Sequence, residues 1–141
     1  MVKTKQYLLD TNILIEFMWN NPVVTSKLVG VGFEQCCMSV ISLYELYYGA
    51  HNAKRRKEEY CKQEILRIQR LIEKIEVHPL PVNANEYGQI KYTLARKGKP
   101  IDEFDMIIAG HALSEGLTVV TDNTDHFGRI DGLKLENWME R

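Results

Sequence analysis

No stretch of the 141-residue chain approaches the run of about 20 apolar residues needed to span a bilayer. The start, MVKTKQYLLDTNILIEFMW, has two lysines and then apolar residues. Asp10, Asn12 and Glu16 interrupt it before it could act as a signal-peptide core. The expectation is a cytoplasmic protein with no membrane attachment. Cysteine is scarce: there are 3, with Cys36 and Cys37 adjacent and Cys61 alone. No C-x-x-C spacing exists, which excludes a thiolate zinc site and a disulfide framework, and leaves three reduced thiols. No charge of one sign dominates, since 18 basic residues face 19 acidic ones for a net charge of −1. A polycationic nucleic-acid binder is thereby excluded, though an enzyme can still hold nucleic acid through a local patch. Linkers, repeats and low-complexity tracts are also missing.

What is present suits a single globular domain over residues 1–141. Hydrophobic residues make up 45% and charged residues 26%, and a chain of this length can bury about two thirds of its unfolded surface. Tyr7-Leu8-Leu9 is a short apolar run ending abruptly at Asp10, the pattern of a buried strand. Thr11 and Asn12 suit the start of a helix, Ile13 to Trp19, which Asn20-Asn21-Pro22 stops. Cys36 to Val40 reads as a second strand, and Ser42 opens a helix from Leu43 to about Ala50. Tyr60, Ile65, Ile68, Leu71, Ile72 and Ile75 recur at helical spacing within Lys54 to Ile75. A strand from Ile75 to Leu80, a helix from Asn83 to Lys97 and a break at Gly98-Lys99-Pro100 follow. The helix from Asp102 to Glu115 ends at Gly116, and strands at Leu117 to Thr121 and Leu133 to Asn137 complete the chain. Strands alternate with helices, so the fold class is α/β around a mainly parallel sheet.

In such sheets the chemistry lies beyond the carboxyl ends of the strands. Asp10 stands directly after the first strand, and Glu45 lies one turn into the helix after the second. Asp122, Asn123 and Asp125 follow Thr121. Asp102 and Asp105 share one face at the start of a helix whose next residues, Met106-Ile107-Ile108-Ala109, are too apolar to face water. Carboxylates converging at one edge repel one another and raise their pKa values, and a cation relieves that. Hard divalent cations take oxygen ligands, and a carboxylate-only site points to phosphodiester chemistry.

Each residue also has a plainer reading. Glu45 follows Ser42 at capping-box spacing and could satisfy a backbone N–H there. Asp102 is a natural N-cap with Asp105 at its third helical position, and Asp10 could cap the first helix. Phe17, Tyr44, Tyr47 and Tyr48 suit core packing, or else a partner groove or dimer face. The basic residues Lys54, Arg55, Arg56 and Lys57 suit a solvated helix start. The four histidines, His51, His78, His111 and His126, share no motif; His126 alone sits beside the acidic loop.

Taken together, four segments resemble the PIN-domain ribonucleases, and more narrowly the VapC-type toxins of VapBC toxin–antitoxin pairs. They are YLLDTNILIE, MSVISLYELYYGA around Glu45, IDEFDMIIAGHAL around Asp105, and LTVVTDNTDHFGRIDGLKLENW. The order and size match over essentially the whole chain. The resemblance implies a PIN-like three-layer sandwich and a metal-dependent endoribonuclease using Mg²⁺ or Mn²⁺. Asp10, Glu45 and Asp105 match the family's catalytic carboxylate ligands. A fourth acidic ligand is common in the family; its position here holds Asn123, with Asp122 and Asp125 as substitutes nearby. Asn12 and Thr121 match supporting polar residues. Cleavage would leave 3′-hydroxyl and 5′-phosphate ends. An RNA substrate, a protein antitoxin encoded next to it and a homodimer are implied as partners. Arg96, Lys97 and Lys99 precede the Asp102–Asp105 segment and are candidate RNA contacts.

Other functions fit less well. A housekeeping RNA-processing PIN nuclease would share the chemistry, and a binding-only PIN module would explain Asn123. A phosphoacceptor receiver module wants an Asp at the end of a central strand and a late strand-end Lys; Ile75 to Leu80 has no such Asp, and Thr118 to Thr121 leads to no Lys. A haloacid-dehalogenase-type phosphatase wants an acid where Asn12 stands.

Overall fold

The computed structural model describes residues 5–52 and 58–139. Five strands form one sheet in the order β3-β2-β1-β4-β5, with β1 at Tyr7–Leu9, β2 at Cys36–Ser39, β3 at Glu76–His78, β4 at Thr118–Val120 and β5 at Leu135–Glu136. Every neighbouring pair runs parallel, so all carboxyl ends meet at one edge. β1 sits in the middle, with Leu8 opposite Cys37 on one side and Val119 on the other.

Successive strand residues point to opposite faces, and that alternation builds two cores. Leu9, Met38 and Val120 join one cluster, covered by α1 (Thr11–Met18), α2 (Pro22–Val31), α3 (Val40–His51) and α4 (Glu58–Lys74). Leu8, Cys37 and Val119 join the other, covered by α5 (Asn85–Arg96), α6 (Glu103–Glu115) and the short α7 (Thr124–Phe127). This is a three-layer α/β/α sandwich around a wholly parallel sheet. Strands buried on both faces read as continuous apolar runs, which is why Tyr7-Leu8-Leu9 stands out in the sequence.

Most elements fall where the sequence places them, but some boundaries change. Asn20-Asn21-Pro22 stops one helix and starts another: Asn21 Oδ1 accepts from Val23 N at 2.9 Å, and Pro22 takes the first helical position of α2. The helix carrying Glu45 begins at Val40 rather than after Ser42, and its cap is Ser39, whose hydroxyl accepts from Ile41 N at 3.2 Å. The capping-box reading of Ser42 and Glu45 therefore fails. In α4, Ile68 and Leu71 are buried as the spacing predicts, whereas Ile72 is exposed. Lys54, Arg55, Arg56 and Lys57 lie outside the described residues. Phe17 and Tyr47 pack against the core, but Tyr44 and Tyr48 are each 68% exposed, so a core role is wrong for both. Among the described residues, no helix is long and apolar enough to cross a membrane.

Candidate active site

The apolar run of β1 carries Asp10 to the carboxyl edge of the sheet and buries it there, 4% exposed. A carboxylate in that position needs partners, and it has several. Thr121, just past β4, donates its hydroxyl to Asp10 Oδ2 at 2.8 Å, and Thr11 N donates to Oδ1 at 2.8 Å. Asn12 Nδ2 lies 3.4 Å from Oδ2 and 3.3 Å from Thr121 Oγ1. Asn12 also accepts from the Asp122 backbone N–H at 3.2 Å, tying α1 to the loop after β4. Asp10 doubles as the N-cap of α1, so capping and convergence on the site coexist in one residue.

Glu45 comes from the second turn of α3. The Thr11 hydroxyl donates to its Oε1 at 2.6 Å and lies 3.0 Å from Ser42 Oγ. Ser42 thus belongs to the support of Glu45 rather than to the helix cap. Asp105 comes from the first turn of α6, which Asp102 caps by accepting from Phe104 N at 3.1 Å. Asp105 Oδ2 meets Asn123 Nδ2 at 3.2 Å and His126 Nδ1 at 3.2 Å.

The three carboxyls feel one another. Burial pushes Asp10 up to about 6 from 3.8, and the charges of Asp105 and Glu45 add to this against the pull of the threonine hydrogen bonds. Glu45 is raised by burial first, and then by the charges of Asp105 and Asp102. Asp105 is raised by burial first, with Asp102 adding, while His126 and Asn123 oppose. The sequence predicts the direction from mutual repulsion; in the structure, lost hydration contributes more.

The loop after β4 separates its three polar residues. β4 ends at Val120, so strand alternation does not carry on to Asn123; a turn places it, its backbone N–H donating to Thr121 Oγ1 at 2.9 Å. Asp122 turns away and accepts from Asn137 Nδ2 at 3.0 Å. Asp125 is exposed in the first turn of α7. Asn123 directs its amide nitrogen at Asp105 and at His126 Nδ1, 2.9 Å away. Half a turn of the amide would present its oxygen instead. Arg96, Lys97 and Lys99 are exposed at the end of α5 and in the loop leading to α6. Arg96 lies over the Tyr92 ring, and Lys97 pairs with Asp131 at 3.8 Å.

The PIN domain model matches residues 7–133. The chain belongs to the PIN-domain family. Among the relatives of this PIN domain is the tRNA(fMet)-specific endonuclease VapC of Shigella flexneri, 37% identical over 134 residues that make up 94% of this chain and 98% of that protein. Ribonuclease VapC2 of Haemophilus influenzae is 36% identical over 135 residues, 95% of this chain and 98% of that protein. The VapBC of Salmonella typhimurium, solved bound to DNA, contains a chain with a TM-score of 0.85 and 35% identity, covering 96% of this PIN domain and 99% of that chain.

One feature of the site escaped the sequence reading: Thr11 links Glu45 to Ser42. His126, singled out beside the acidic loop, touches Asp105, and Asp102, grouped with Asp105 from the sequence, acts on Glu45 and Asp105 through its charge. Thr11 was legible in principle, since it sits between two residues already singled out.

Proposed function

We propose that this chain is an endoribonuclease that hydrolyses RNA phosphodiester bonds as the toxin of a VapBC-type pair. The observation that carries this reading is the convergence of Asp10, Glu45 and Asp105, from three separate elements, at the carboxyl edge of a PIN fold. All three carboxyls are raised by burial and by nearby negative charge, so the site is short of positive charge. An all-oxygen donor set suits a hard divalent cation, and Mg²⁺ or Mn²⁺ would be held by Asp10, Glu45 and Asp105, with Asn123 contributing an uncharged oxygen. A bound cation supplies charge neutralisation and a more acidic water for attack on phosphorus.

The chain's own residues prepare that site. Thr121 and Asn12 orient Asp10, Thr11 orients Glu45, and Asn123 with His126 orients Asp105. Arg96, Lys97 and Lys99 would hold RNA phosphates beside it. Tyr44 and Tyr48, one helical turn apart and exposed on α3, suit an antitoxin or a second copy of the chain, since exposed aromatics anchor interfaces. The similar VapC proteins are ribonucleases, and a similar chain is found in the VapBC of Salmonella typhimurium, which supports both expectations.

The test is cleavage of RNA by the purified chain with Mg²⁺ or Mn²⁺ and with a chelator. Cleavage should need the cation and leave 3′-hydroxyl and 5′-phosphate ends. Asp10→Asn and Asp105→Asn should each abolish it while circular dichroism stays unchanged. Full activity in either variant would remove the proposed site.

A further inference from the structure

At the far end of α6 from Asp105, a second group of ligand-type side chains comes together. His78 ends the edge strand β3, and His111 and Glu115 lie one helical turn apart on α6. Their ligand atoms all lie within 4.8 Å of one another. Ten residues separate Asp105 from Glu115, about 15 Å along the helix axis, so this group is distinct from the carboxylate site.

The geometry points to a transition-metal site of the Zn²⁺ class formed by His78, His111 and Glu115. Glu115 Oε1 is the hub: His111 Nε2 stands 3.2 Å from it and His78 Nδ1 3.5 Å. Ligand atoms at the corners of a tetrahedral zinc site, each about 2.0–2.1 Å from the ion, lie about 3.3 Å apart. Two imidazole nitrogens and one carboxylate oxygen form a borderline donor set, suited to Zn²⁺ and poorly suited to Mg²⁺, which prefers oxygen alone. The fourth position is left to water.

The surroundings fit this use. A ligating histidine usually gives its other N–H to a carboxylate, and His78 Nε2 lies 3.4 Å from Glu76 Oε1. Glu76 is itself held by Lys5 at 3.0 Å. The His111 side chain is fully buried and aims Nε2 at Glu115, while its Nδ1 has no hydrogen-bond partner among the described residues. His78 and Glu115 remain partly exposed, which gives an ion a way in. Bound metal would fasten the edge strand β3 to the end of α6.

The experiment is titration of the full chain with zinc chloride in excess Mg²⁺, followed by calorimetry and by thermal unfolding. Co²⁺ absorption serves as a separate readout of tetrahedral ligation. One equivalent of Zn²⁺ should bind and raise the unfolding temperature. His78→Ala and Glu115→Gln should lose it, and Glu76→Gln should weaken it about 10–100-fold, as loss of an outer partner does. Asp105→Asn and Cys61→Ser should leave it intact; the second matters because Cys61 lies 3.5 Å from His51. If His78→Ala fails to fold, the near-isosteric Glu115→Gln decides. Absence of a zinc equivalent, its survival in Glu115→Gln, or its loss in Asp105→Asn or Cys61→Ser overturns the assignment.

Discussion

Asp10 is where the energetics of the single residue are plainest. Its folded carboxyl titrates at about 6 against an ordinary 3.8, so the folded state holds the proton more tightly than the unfolded chain. Below 3.8 both states are protonated and nothing is lost. As pH rises through the window from 3.8 to about 6, the unfolded chain gives up its proton first, and stability falls. Chelated protein should therefore lose stability across that window. Asp10→Asn should remove this part of the loss, at most on the order of 3 kcal/mol, as urea melts at several pH values would read. A chelated Asp10→Asn protein no more stable than the parent near pH 7 would count against a strained carboxyl. Glu45 and Ser39 divide function from stability. Ser39→Ala should cost about 0.5–2 kcal/mol and leave the cleavage chemistry in place. Glu45→Gln should do the reverse, losing most cleavage with little change in the melt. The sequence alone assigns the cap to Ser42, because S-x-x-E is a local pattern. The structure moves it to Ser39, because the helix starts as soon as β2 ends.

Among the elements, α5 and α6 show how closely two helices can be set. A methyl group added at Gly110 would lie 2.9 Å from the backbone of Tyr87, whereas one at Gly88 meets nothing within 4 Å. Gly110→Ala should therefore destabilise by about 1–3 kcal/mol despite its better helix propensity. Gly88→Ala, at the end of the first turn of α5, should stabilise by about 0.5–1 kcal/mol. Urea midpoints of the pair check both signs, and a gain at Gly110 would mean that α5 and α6 slide apart easily. Strands and long helices were legible in the sequence because burial writes itself as apolar runs and helical periodicity. α2 was not, since Asn-Pro reads as an ending, yet also supplies a cap and a first helical residue. α7 was not, since its four residues span barely one turn.

Across the whole molecule, a net charge of −1 means that, under the proposed function, RNA would be held by a few local cations around an acidic centre. Replacing Arg96, Lys97 and Lys99 together by Ala should weaken RNA binding by the Asp105→Asn variant, whose cleavage is expected to be lost. The dependence of log affinity on log salt should become shallower by about 2, at roughly 0.7 per lost single-strand phosphate contact. An unchanged slope would place the RNA elsewhere. Asp10, Glu45 and Asp105 could be singled out from sequence because each lies within about two turns of a helix start or a strand end. The Thr11–Glu45 bond, 34 residues apart, and the His78–Glu115 contact, 37 apart, could not, because nothing local marks such partners. The longest of these ties, Thr121 to Asp10, spans 111 residues, and it sets an order in time. A ribosome delivers Asp10 a full 111 residues before Thr121. While the chain is still being made, the first carboxylate has neither its hydroxyl partner nor the strand that buries it. Until Thr121 has been added the site cannot assemble, and a chain cut at Glu115 should be inert however well the rest of it folds.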